Sequence, residues 1–165
     1  MSLITFSAGQ RVTASQLMTM VNQIDSLTAP GWVSYGTWST LVTAVTTNPT
    51  QGSSSAVARY RRPAGSDICD YQIKVLFNTG GGFNAGSGAY RFLLPFTAST
   101  SEIGAHHMTI MESGVLYRSG GTDYVDQTHV EGWYAASGAP IGYQGLSTSW
   151  TTGDYLKIAG SFQVQ

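Results

Sequence analysis

From Trp38 onward the chain is written in short runs with a two-residue period, and that period demands β structure. Thr40-Leu41-Val42-Thr43-Ala44-Val45 is β-branched and alternating. Successive strand side chains point to opposite faces, so such a run can lay one face on a core and offer the other to water. Similar runs extend from Ala56 to Arg61, Asp70 to Phe77, Tyr90 to Phe96, His106 to Ser113, Val115 to Ser119, Val125 to Trp133 and Tyr155 to Val164. Turn formers separate them: Asn48 to Ser55, Arg62-Pro63-Ala64-Gly65, Thr79-Gly80-Gly81-Gly82, Gly86-Ser87-Gly88, Gly120-Gly121 and Gly138-Ala139-Pro140. Short strands at this spacing, without a second helix pattern, predict a mainly β fold: an antiparallel, jelly-roll-like sandwich head over residues 31–165.

One helix is written ahead of the strands. Thr13 followed by Gln16 is a capping box, with Val12 and Leu17 placed as its hydrophobic staple. Leu17, Met20, Val21, Ile24 and Leu27 then form an apolar seam, and Pro30-Gly31 ends the run. A helix of roughly 15 residues is marginal alone in water, because nucleation is costly and few backbone bonds repay it. The seam must therefore dock, on its own body or on copies of itself from neighbouring subunits, and copies are the expectation carried forward. Residues 1–30 accordingly read as a separate unit, with an extended arm over 1–11 and the helix over 13–27, and residues 28–40, rich in Gly and aromatics, read as the hinge that joins it to the strands.

Charge narrows the function classes. Only 10% of residues are charged, against roughly 25% in ordinary soluble domains, so the surface must be largely Ser, Thr, Gly, Asn and Tyr. That surface suits a subunit packed against others, or one touching sugars and proteins through hydroxyls and rings. It suits a nucleic-acid binder poorly: net charge is −1, and no basic run exceeds Arg59, Arg61 and Arg62. Those three arginines around Tyr60 read as an anion patch, a solvated strand edge or an inter-subunit ion pair. No stretch reaches the roughly 18 apolar residues of a membrane span, and the start MSLITFSAGQR does not read as a signal peptide. The single cysteine, Cys69, has no internal disulfide partner, as expected of assembly in a reducing cytoplasm.

Chemistry-bearing clusters are sparse. His106, His107 and His129, with Asp123, Asp126 and Glu131, are the one group that could suggest a metal site. Neighbours on a strand face opposite ways, however, so His106 and His107 cannot both join one site without a bulge. A polar strand face or subunit contact is the expectation, with no metal and no cofactor. Glu102, Glu112 and Glu131 are the only glutamates available for glycoside hydrolysis, and no Gly-x-Ser-x-Gly elbow is present. The glycine clusters resemble phosphate loops but lack the Walker lysine and lead into a strand. Trp32, Tyr35, Trp38, Trp133, Tyr134, Tyr143 and Trp150 exceed what one small core needs, so some should be exposed or at an interface. Trp133, Tyr134, Tyr143 and Trp150 are the candidate glycan or partner contact, weighed against core and subunit packing.

Five segments carry a resemblance. TFSAGQRVTASQLMTMVNQIDSL, PGWVSYGTWST, ARYRRPAG, GSGAYRFLLPF and SWTTGDYLKIAGSF, in that order, resemble minor tail or head-fibre (decoration) proteins of tailed phages that infect actinobacteria. The resemblance implies a homotrimeric virion component assembled in the host cytoplasm. Leu17, Met20, Val21, Ile24 and Leu27 would set the trimer at the threefold axis, the N-terminal arm would anchor to other tail or capsid proteins, and jelly-roll heads would splay outward. It implies no active site, so no catalytic residue is transferred. The expected function is that of a minor tail or fibre protein, with capsid decoration or a glycan-binding adsorption module as alternatives. Residues 102–145 have no counterpart in the resemblance and are where host or partner contact is expected.

Overall fold

The computed structural model describes residues 13, 15, 16, 18, 19, 31–100, 106–112, 116–134 and 150–165, with the side chains of 116–118 and 134 left out. The seam residues Leu17, Met20, Val21, Ile24 and Leu27 lie outside the described residues, as do Glu102 and Tyr143. Ser15, Gln16, Met18 and Thr19 are helical, and the cap expected at Thr13 is formed. The Thr13 N–H donates to Gln16 Oε1 at 3.0 Å, while the Gln16 N–H donates to Thr13 Oγ1 at 3.3 Å. Each side chain thus satisfies a backbone donor that the first helical turn would leave orphaned.

The body is β1 (Val33–Ser34), α1 (Trp38–Leu41), β2 (Val42–Ala44), β3 (Ser55–Arg61), β4 (Ile68–Leu76), β5 (Tyr90–Leu93), β6 (His106–Glu112), β7 (Leu116–Tyr124), β8 (His129–Tyr134) and β9 (Tyr155–Gln163). All nine strands pair antiparallel in one sheet, in the order β1-β3-β4-β9-β6-β7-β8-β5-β2. The sheet curls into a half-barrel. A mainly β, antiparallel architecture therefore holds, whereas two separate sheets are not what the described strands form. The curl lets a single sheet cover its own inner face. Tyr35, beside β1 at one end, donates its hydroxyl to the Leu93 carbonyl of β5 near the other, at 3.1 Å, and Tyr60 of β3 meets Phe96 edge-on at 4.9 Å.

Alternation decides the faces. β4 reads exposed or half-buried at Asp70, Gln72, Lys74 and Leu76 but buried at Cys69, Tyr71, Ile73 and Val75. The inner face gathers Tyr71, Ile73, Phe92, Met108, Leu156 and Phe162. At one end of the core, Phe77 stacks on Trp150 with centroids 3.8 Å apart, and Trp38 meets Phe77 edge-on at 6.4 Å. Every described residue with a positive φ is a glycine, as in the turns at Gly81-Gly82 and Gly86-Ser87-Gly88 that other residues would strain. Gly120-Gly121 is not the turn expected there: both glycines lie inside β7, paired to β6 and β8, because sheet pairing on both sides holds them extended.

Four further local readings need correction. Thr40 and Leu41 belong to α1, not to a strand, because the Thr37 N–H bonds Thr40 Oγ1 at 2.8 Å and starts a helical turn. A stretch of four residues is too short for a helical period to register. The supposed hinge over 28–40 contains β1 as well as that turn. The run from Tyr90 to Phe96 stops as a strand at Leu93, two residues before Pro95, which has no N–H for a ladder. Finally, Val125 to Thr128 is a loop and β8 starts at His129. Asp126 Oδ1 accepts the backbone N–H groups of Thr128 at 2.6 Å and His129 at 2.8 Å, turning the chain there.

Candidate functional site

Because strands stay in register across the sheet, residues distant in sequence line up in rows on its outer face. One row runs Arg59, Gln72, Ala159, His107, Gly121, Trp133, across β3, β4, β9, β6, β7 and β8. A second, beside it, runs Val57, Lys74, Lys157, Thr109. A third runs Arg61, Asp70, Ser161. The small residues Ala159 and Gly121 keep the middle of the first row low, and taller side chains stand at both ends.

On the β3 side the row ends in a cation–aromatic cluster. The guanidinium carbons of Arg59 and Arg61 sit 5.0 and 5.1 Å from the Trp32 ring centroid. Arg59 is further held by Gln72, whose Oε1 accepts from Nε at 3.0 Å and from a terminal nitrogen at 2.8 Å. Arg61 pairs with Asp70 at 2.8 Å. The Ser161 hydroxyl also donates to Asp70, and these contacts, Ser161 first, outweigh partial burial and hold its carboxyl below the usual carboxylate range. Arg62 is separate, donating to the Ser66 carbonyl at 2.6 Å and lying over Phe96.

Between these strands lies an open groove of about 450 Å³, lined by Val57, Arg59, Gln72, Lys74, Lys157 and Ala159 together with the backbone of β4 and β9. Lys74 and Lys157 are direct cross-strand neighbours. Both ammonium groups lean over Tyr155, at 5.6 and 4.9 Å from its ring centroid. Of the eight lysines and arginines in the chain, both lysines and three arginines (Arg59, Arg61, Arg62) fall on β3, β4, β9 or the turn after β3. This concentration escaped the sequence reading because no basic run announces it; it arises from pairing β9 beside β4.

The residues singled out from sequence fare unevenly. Trp150 is 7% exposed, stacked on Phe77, and its indole N–H donates to Tyr90 Oη at 3.1 Å, so it is a core residue and not a surface contact. Trp133 is 36% exposed and stands on the outer face above Gly121, where a Cβ would come within 3.1 Å of its ring. Tyr134 ends β8, and its side chain, like Tyr143, lies outside the described residues.

His106 is buried, with Nε2 3.1 Å from Tyr124 Oη and its ring edge-on to Tyr71 at 5.3 Å, while its neighbour His107 is exposed on the opposite face. His129 Nδ1 approaches Asp126 at 3.2 Å. Asp123 and Glu131 are direct neighbours in register, and Arg91 reaches Glu131 at 3.8 Å. Among the described residues, no group of three or more His, Cys, Asp or Glu side chains is arranged to hold a metal ion. Cys69 is fully buried, and burial pushes its thiol up to about 11.

Against known proteins, the chain matches no family model, no curated protein and no solved structure.

Proposed function

We propose that the chain is a non-enzymatic structural protein of a bacteriophage virion: a homotrimer anchored through residues 1–11, with a solvent-facing β head, acting as a minor tail or fibre protein. The observation that carries this reading is the reciprocal Thr13–Gln16 cap, which opens a helix with Gln16 half-buried and its other described residues exposed. Thr13, Ser15, Met18 and Thr19 are exposed, Met18 at 60%. A short helix of that kind needs a partner, and the seam that follows in sequence supplies the surface for copies of itself. The head, curled so that its two limbs share one core, takes the place of the jelly roll in this reading.

The test is assembly. Leu17→Asp with Ile24→Asp should convert a trimer to monomers in light scattering, and either a trimer that survives both changes or a monomeric parent refutes the proposal. Capsid decoration is the second reading, favoured by the same exposed outer face; quantitative mass spectrometry of virions decides it, since a tail component occurs in few copies and a decoration protein in many.

A further inference from the structure

We infer that the outer face of β3, β4 and β9 is a binding site for an acidic polysaccharide, with Arg59, Lys74 and Lys157 holding its anionic groups over a floor of Val57 and Ala159. The inference goes beyond the virion reading and does not depend on it.

Like charges placed directly opposite across two strands destabilise the sheet, and Lys74 and Lys157 occupy such positions. The other like-charged pair on this face, Asp123 and Glu131, has Arg91 beside it. The lysine pair has no equivalent relief: among the described residues no carboxylate lines the groove, and the face's nearby acid, Asp70, is engaged by Arg61 and Ser161. Tyr155 holds both ammonium groups in place through its ring, and Gln72 orients Arg59. Three cations, positioned and uncompensated around one groove, call for an anionic occupant.

Its class follows from what the groove lacks. β4 and β9 each pair on both sides, so their backbone donors and acceptors are spent and an acidic peptide lying across the groove floor would find no ladder to join there. A second copy of this chain docked face to face would bring its own lysines to the same surface. Bases would need bare ring faces, but Trp32 and Tyr155 are covered by cations. A sugar ring, flat and apolar on one face, suits a floor of Val57 and Ala159, its hydroxyls can meet Gln72, and carboxylate or phosphate substituents reach the three cations.

The experiment is biolayer interferometry of the full chain at low and physiological salt. Polygalacturonate supplies carboxylates and a phosphorylated mannan supplies phosphates; dextran, poly-L-glutamate and a single-stranded oligonucleotide are the comparators. The expected result is salt-sensitive binding to one or both acidic glycans and none to dextran. Lys74→Gln with Lys157→Gln should weaken it at least tenfold, and Lys74→Arg with Lys157→Arg should retain it. Without ligand, the double Gln variant should melt at the same or a higher temperature than the parent. Four results would each overturn the inference: no binding to either acidic glycan, undiminished binding by the Gln variant, equal binding to poly-L-glutamate or the oligonucleotide, or a Gln variant that melts lower or changes its oligomeric state.

Discussion

Gly160 is where the core leaves least room, and replacing it by alanine tests the packing directly. It sits opposite Tyr71 on β9, and a Cβ there would overlap His106 Nδ1 and come within 2.7 Å of Cγ and 2.9 Å of Cβ. The imidazole has nowhere to retreat. Its Nε2 lies 3.1 Å from Tyr124 Oη, Tyr71 flanks its ring, and the β6 backbone is fixed by pairing to both β7 and β9. At an unobstructed strand position, Gly→Ala gains about 0.5–1 kcal/mol in backbone entropy. Overpacking a filled site costs about 1–3 kcal/mol. Because the overlap involves three His106 atoms, the upper part of that range, about 2–3 kcal/mol, applies, and the difference predicts that Gly160→Ala destabilises by about 1–2.5 kcal/mol, or roughly 2–10 °C in Tm for a chain of this size. Urea unfolding followed by tryptophan fluorescence measures it, with an unchanged m-value indicating an intact two-state transition. Pairing the change with His106→Ala should recover at least about 0.5 kcal/mol relative to additivity. A Gly160→Ala protein as stable as the parent, or more so, refutes the reasoning.

Three further outcomes are expected. Trp150→Ala, which empties a stacked core position, should cost about 3–5 kcal/mol, whereas Trp133→Ala on the outer face should cost under about 1 kcal/mol; equal effects in urea titrations would contradict their placement. Cys69, buried and with its thiol raised to about 11, should resist a thiol reagent at about pH 8 in the folded protein and react fully once denaturant is added, and immediate labelling of the native chain would count against its burial. Although its partial burial works in the other direction, Asp126 is held down to about 2 by the Thr128 hydroxyl and backbone N–H and by His129. A depressed carboxylate stabilises the fold above its unfolded value, so stability should fall as pH drops from about 4 towards 2. Asp126→Asn should flatten part of that slope, and an identical acid profile in the variant would remove the turn's role.

Much of the architecture was readable locally. The alternation from Ala56 to Arg61, Asp70 to Phe77 and Tyr155 to Val164 corresponds to β3, β4 and β9 within two residues at each end, because side-chain period and turn chemistry act over neighbours. The same locality explains the misses: the Thr37–Thr40 turn is too brief to show a period, and the Asp126 turn interrupts a run that otherwise reads as continuous strand.

By itself, then, the amino-acid order determined that the chain is mainly β, where several of its glycine turns fall, and that a capped helix starts at Thr13. Tertiary structure alone decided that one sheet curls to bury its own face, that Trp150 goes inside while Trp133 stays out, and that Lys74 and Lys157 become neighbours. The physical reason is that a two-residue period tells which residues share a face of one strand but says nothing about which strand lies alongside. That choice is made by packing across the whole core, and the groove on the outer face exists only because of it.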